Sequence, residues 1–163
     1  MKKITILIVL LFTVANVFAQ KGEKAIGASI NYGSEIGSLG FGGHFYYNVT
    51  DHFRLAPDIT YFLKNDHLNE WDVNLNVHYL FPIEDKLTIY PVAGFLITHW
   101  SADLAINVGG LSISAAETKF GINFGGGVQY NLTKTVFLKG ELKYCFVSDF
   151  DQAVITAGIG FKF

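Results

Sequence analysis

From about residue 24 onward, apolar side chains recur at every second position. They do so in eight stretches, at about 24–33, 38–49, 52–64, 70–81, 87–99, 119–130, 135–147 and 152–163. A period of two is the period of a β-strand, whose successive side chains point to opposite faces. One face reads Ile26, Ala28, Ile30, Tyr32 in the first stretch, Phe41, Gly43, Phe45, Tyr47 in the second and Val73, Leu75, Val77, Tyr79 in the fourth. Beyond Lys24 at the very start of the first stretch, it carries no charged residue in any of the eight. The alternate positions are small or polar, among them Gly27, Ser29, Asn31, Gly42, His44, Asn48, Asn74, Asn76, His78, Asn123 and Gln129. Helical periodicity is absent, and the pattern predicts an all-β chain of eight antiparallel strands closed into an up-and-down barrel.

Alternation alone does not say which face is outside, because a soluble barrel with an apolar pocket alternates in the same way. A water-facing exterior is normally rich in Lys and Glu. Here the second face holds only Arg54, Asp58, Lys64, Asp72, Lys139, Glu141, Lys143 and Lys162. An uncharged outer band is what lipid selects, since Lys or Arg near the bilayer midplane costs about 2–4 kcal/mol. Five or six outward residues make a strand of about 11 residues, roughly 36 Å long, and a tilt near 40° reduces this to about 27 Å of height. That is the thickness of a hydrocarbon core, so the barrel is expected to be transmembrane. Pro57 and Pro91 fall mid-strand, where each removes a ladder donor, and bulges or kinks are expected there.

The first residues change the picture by adding export. Lys2 and Lys3 precede an apolar run from Ile4 to Val14, and Val17-Phe18-Ala19 has small residues at cleavage spacing, so residues 1–19 read as a signal peptide and 20–163 as one barrel domain. The run is too short for a spanning helix, which needs roughly 20 residues. No cysteine stands directly after the cleavage point, which argues against a lipid anchor. Removing the signal leaves ten basic and fourteen acidic side chains, a net charge of −4 that gives no reason to expect nucleic acid as a partner. Hydrophobic residues make up 50% of the chain and mean hydropathy is +0.32, yet no later apolar run could form a spanning helix, as strict alternation requires. Cys145 is the only cysteine, so an intramolecular disulfide is excluded.

The chain also repeats itself. Phe41-Gly-Gly-His-Phe-Tyr-Tyr-Asn-Val-Thr returns 83 residues later as Phe124-Gly-Gly-Gly-Val-Gln-Tyr-Asn-Leu-Thr. The match continues through Phe53 and Val136, Leu55 and Leu138, Asp58 and Glu141, and Tyr61 and Tyr144. A weaker copy spans Val77 to Gly94. Three such hairpins with a first and a last strand make eight strands. In the glycine-aromatic strand, the Tyr-Asn-x-Thr turn and the following strand with an inward acid, the chain resembles the bacterial outer membrane protein β-barrel domain family, related to small OmpA- and OmpX-like, porin-like barrels. The resemblance covers the whole mature chain. It implies integral residence in the outer membrane with outer membrane lipid as neighbour, both termini periplasmic, tight turns near 49–52, 82–86 and 131–134, and external loops near 34–37, 65–69, 100–118 and 148–151. Phe161 and Phe163 at the end of the chain are similar to the signal by which barrel-assembly machinery recognises the C-terminal strand.

Candidate chemistry is sparse. Arg54, Asp58, Asp72, Lys139, Glu141 and Lys143 share the inward face and predict a lumenal charge network. An ion gate is one function for it, and a plug of mutually neutralised side chains is the other. With eight strands the lumen is only wide enough for side chains, and Tyr46, Phe62, Leu80, Tyr90, Leu96 and Phe137 also point inward, so a plug is expected. His44, His52, His67, His78 and His99 show no metal-ligand spacing, and no metal or cofactor is expected. His99, Ser101 and Asp103 are neighbours on one extended segment, a poor source of a triad, so no enzymatic role is expected. Trp71, Trp100, Tyr47, Phe81 and Tyr130 read as membrane-interface aromatics. Leu104, Ile106, Val108, Leu111 and Ile113 alternate around Gly109-Gly110, which predicts a hairpin at about 101–118 continuing the fifth and sixth strands outside the membrane. Its apolar side either folds over the barrel mouth or meets another protein or a small apolar ligand. A structural or surface-interaction role for a monomer follows. The alternatives are a narrow conduit or pocket for small apolar molecules, a lipid-modifying enzyme, and a soluble periplasmic barrel with the faces inverted.

Overall fold

The computed structural model describes residues 21–65, 68–108, 111–148 and 150–163, with the backbone alone over 102–115. The expected signal segment 1–19, Gly109-Gly110 and His67 lie outside the described residues. Eight antiparallel strands make the wall: β1 Lys24–Gly33, β2 Ser38–Asn48, β3 Phe53–Asn65, β4 Leu68–Tyr79, β5 Leu87–Val108, β6 Leu111–Asn131, β7 Val136–Val147 and β8 Gln152–Lys162. Each pairs with its neighbours in sequence. β1 closes the ring on β8, from Ala25 opposite Lys162 to Gly33 opposite Val154. β4 and β5 pair directly, and a two-residue piece, Phe81–Pro82, continues the β4 side of that ladder against Ile89 and Thr88. No open edge is left around the wall, which satisfies the backbone without water.

Burial settles the orientation of the faces. Asn31, Asn48, Arg54, Asn76, His78, Asn123 and Gln129 are buried, whereas Ile30, Phe41, Ile59, Leu75, Phe124, Leu142 and Ile155 are exposed. A protein with that inversion cannot be a water-soluble barrel with an apolar pocket. It is a barrel whose outer surface is matched to hydrocarbon.

The three tight turns share one geometry, which explains the repeat. In the first, Val49 and Thr50 amides both donate to the Phe53 carbonyl. In the second, Ile83 and Glu84 donate to Leu87, and in the third Leu132 and Thr133 donate to Val136. The threonine of the Tyr-Asn-x-Thr motif adds a side-chain cap: Thr50 Oγ1 accepts from the amides of His52 and Phe53, and Thr133 Oγ1 accepts from those of Thr135 and Val136. The copy at Glu84 lacks the hydroxyl and keeps only the backbone bonds.

Two expectations need correction. Pro57 and Pro91 do not produce bulges. The pairs on either side of each proline stay in one register, and only the ladder is interrupted, between His44–Asp58 and Tyr47–Leu55 and between His78–Val92 and Phe81–Ile89. A proline in a strand loses one donor, and an extended backbone tolerates that without adding a residue. The register shifts lie at Phe62–Asn65 against β4 and at Leu104–Val108 against β6. Trp100 is not a membrane-interface aromatic. It faces inward, 5% exposed, stacked on Phe150 with ring centroids 4.7 Å apart and packed with Ile36, Phe62, Leu96, Cys145, Val147 and Val154. Its even number on β5 places it on the lumenal face.

Candidate functional site

The wall encloses a layered interior. At the end that carries Lys21 and Phe163, Ala25, Tyr46, Ala56 and Phe137 form one apolar cluster, and Leu80, Tyr90 and Val92 form another. The cluster around Trp100 occupies the opposite end. Inward glycines make room for the large rings. A methyl group on Gly127 would sit 2.5 Å from the Tyr90 ring, and one on Gly160 would sit 2.1 Å from the Phe137 ring. At Gly127 and Gly160 the glycine is therefore the partner of an aromatic on a neighbouring strand, a steric requirement rather than a conformational one.

Between these layers lies a polar middle. Arg54 on β3 donates from Nε to Asn48 Oδ1 and from Nη1 to Gln129 Oε1, both at 2.8 Å, and its guanidinium stands 5.3 Å from the Tyr46 ring centroid. Asp58 accepts from Asn74 Nδ2 at 2.9 Å and Asn76 Nδ2 at 2.7 Å, and Lys143 Nζ lies 3.5 Å from its Oδ2. Glu141 takes Lys139 at 3.5 Å and Lys143 at 3.9 Å, and accepts from the Tyr90 hydroxyl at 3.1 Å. His78 stacks on Tyr90, and His44 pairs with Ser29 Oγ at 2.7 Å. Charges this deeply buried are tolerable only when paired and hydrogen bonded, and here the pairing crosses the barrel between β3 and β7.

The interior therefore brings together Arg54, Asp58, Lys139, Glu141 and Lys143. Asp72 stands apart, nearer the end opposite Lys21 and Phe163, beside a residue that the sequence reading left out: Glu70, fully buried on the same face of β4. Glu70 Oε1 accepts from Thr98 Oγ1 at 3.2 Å and Gln152 Nε2 at 2.5 Å. The shared parity of 70 and 72 was the available signal. Tyr90 as a partner of Glu141 was not legible, because the two are 51 residues apart. Trp71 faces outward and stacks on His99, whose Nδ1 lies 2.7 Å from Thr118 Oγ1 across the ladder. Ser101 Oγ accepts from Asn69, and the Asp103 side chain lies outside the described residues. Tyr47 and Tyr130 are exposed, Phe81 is half-buried against Tyr79, and Phe161 and Phe163 are exposed on the last strand. Among the described residues no cluster of three or more His, Cys, Asp or Glu could hold a metal.

β5 and β6 run 22 and 21 residues against 10 to 13 for the other strands. The β4–β5 ladder ends at Leu68–Ala102, and the β6–β7 ladder ends at Gly121–Val147. Beyond those points β5 and β6 pair only with each other among the described residues, first in register to Leu104–Ile113 and then, after the shift, at Val108–Leu111. The side chains of Leu104, Ile106, Val108, Leu111 and Ile113 lie outside the described residues.

A model of the outer membrane protein beta-barrel domain matches residues 5–163. The chain belongs to that family. Members are integral proteins of the bacterial outer membrane, and the exposed apolar band faces outer membrane lipid. Solved barrels agree with the fold. The N-terminal barrel of Pseudomonas aeruginosa OprF is 22% identical, with 90% of this chain and 100% of that one covered at a TM-score of 0.67. Neisserial surface protein A is 21% identical over 86% and 96%, at 0.65. Ail, the attachment invasion locus protein of Yersinia pestis, is 17% identical over 88% and 99%, at 0.59. A search of curated protein sequences finds no match.

Proposed function

We propose that this outer membrane barrel is a non-enzymatic scaffold with a structural or surface-interaction role. Its lumen is closed by its own side chains, and it displays the β5–β6 ribbon outside the cell. The observation that carries the reading is the length of those two strands, about twice that of their neighbours. A ribbon paired only with itself offers two rows of backbone donors and acceptors to an extended partner. The interior supports closure: apolar layers at both ends bracket a hydrogen-bonded polar middle, as expected when eight strands leave space for side chains alone. The similarity to Ail, named for attachment and invasion, favours a surface role over transport. The protein acts as a monomer, with the barrel-assembly machinery reading the last strand through Phe161 and Phe163.

The test places a photo-crosslinking residue at position 106 in the ribbon and, as a control, at Leu142 on the lipid face, in cells expressing the full chain. A discrete protein adduct at 106 with lipid adducts at 142 is expected. No protein adduct at 106, together with uptake of small apolar solutes that depends on the protein, would favour the narrow conduit instead. A change in outer-leaflet lipid on expression would point to a lipid-modifying enzyme.

A further inference from the structure

The buried charges do not sum to zero. Three cations, Arg54, Lys139 and Lys143, and four carboxylates, Asp58, Glu70, Asp72 and Glu141, face the interior and are buried. The cations are engaged in the polar middle: Lys139 with Glu141, Lys143 with Asp58 and Glu141, Arg54 with Asn48 and Gln129. Counting the histidines as uncharged, one negative charge is left over. It resides in Glu70 and Asp72, two positions apart on one face of β4.

These two carboxyl groups are buried side by side, two positions apart on the inward face of β4. As bare carboxylates neither could donate, and one oxygen of each, Glu70 Oε2 and Asp72 Oδ1, is buried without a partner. Two adjacent anions shielded from water repel, and each orphaned acceptor carries the desolvation cost of about 1–3 kcal/mol, more for a charged group. One proton removes all three difficulties: it supplies the missing donor, lowers the pair to a single charge and brings the interior count to three against three.

We infer that Glu70 and Asp72 share one proton, held as a carboxyl–carboxylate hydrogen bond that locks this end of the barrel. The pair ties three strands together, since Thr98 on β5 and Gln152 on β8 both donate to Glu70 Oε1. The charged and titratable groups facing it from the other elements are Lys143 and Cys145 on β7 and Asp58 on β3. All three lie close enough to act on it electrostatically, but Lys143 spends its contacts on Asp58 and Glu141. The lock lies level with Trp71 and His99 on the outer surface, next to the root of the ribbon.

The experiment uses the full chain folded in detergent. It reads the carbonyl stretch of a protonated carboxyl by infrared spectroscopy and the temperature at which the folded form converts on a gel. Wild type is expected to show the protonated-carboxyl band at neutral pH, and Glu70→Gln to lose it. Glu70→Gln should convert at the wild-type temperature, because the amide replaces the proton donor, whereas Glu70→Ala should convert several degrees lower. Absence of the band from wild type overturns the inference without any variant. So does a wild-type conversion temperature that rises with added calcium and falls with chelator, which would put a cation in place of the proton.

Discussion

The ribbon is a continuation of two of the wall's eight strands, yet different constraints shape the two regions. Below Ala102 on β5 and Gly121 on β6, each residue is held on both sides by a neighbouring strand, outside by lipid and inside by packed side chains. Some inward positions have a partner of complementary size, as Gly127 has in Tyr90 and Gly160 in Phe137. Above those points the strands bond only to each other among the described residues. The wall backbone is therefore constrained from more sides than that of the ribbon.

Substitutions should separate the two regions, with the largest effect in the polar middle. Replacing Lys143 by Met strips Asp58 and Glu141 of their shared cation and should cost about 3–5 kcal/mol, the range for breaking a buried ion pair. Denaturant titration of the refolded protein measures it. On the lipid face, Leu142→Arg should cost about 2–4 kcal/mol if position 142 lies near the midplane, less if nearer an interface. Gly127→Ala should displace the Tyr90 ring and cost about 1–3 kcal/mol by overpacking, visible as a lower conversion temperature. Replacing residues 103–118 by a two-residue turn should leave the conversion temperature of the barrel nearly unchanged while abolishing crosslinking through the ribbon. A large loss of barrel stability in that last variant would show that the ribbon folds back as part of the core.

The wall was legible in the sequence because lipid and lumen impose a period of two over eight stretches, with the charges kept off one face. The inward set Arg54, Asp58, Lys139, Glu141 and Lys143 followed from parity alone. Parity also contains Trp100 and Glu70, and these were misread or overlooked for different reasons. Tryptophan near a strand end suggests an interface, and the packing of Phe150 and Ile36 across the mouth agrees with its parity in turning it inward. Glu70 begins a strand, where an acid reads as solvated, and its burial depends on Thr98 and Gln152 from strands distant in sequence. The bulge half of the proline expectation failed because a lost donor interrupts the ladder without inserting a residue. Cross-barrel partners such as Tyr90 and Glu141 depend on strand stagger, which alternation does not encode.

Solute flux through the purified protein tests closure of the lumen most directly. Vesicles carrying the full chain, and vesicles carrying the variant without residues 103–118, should swell in small sugars no faster than protein-free vesicles. Swelling of both would contradict a lumen closed by its own side chains. Swelling of the variant alone would make the ribbon the lid.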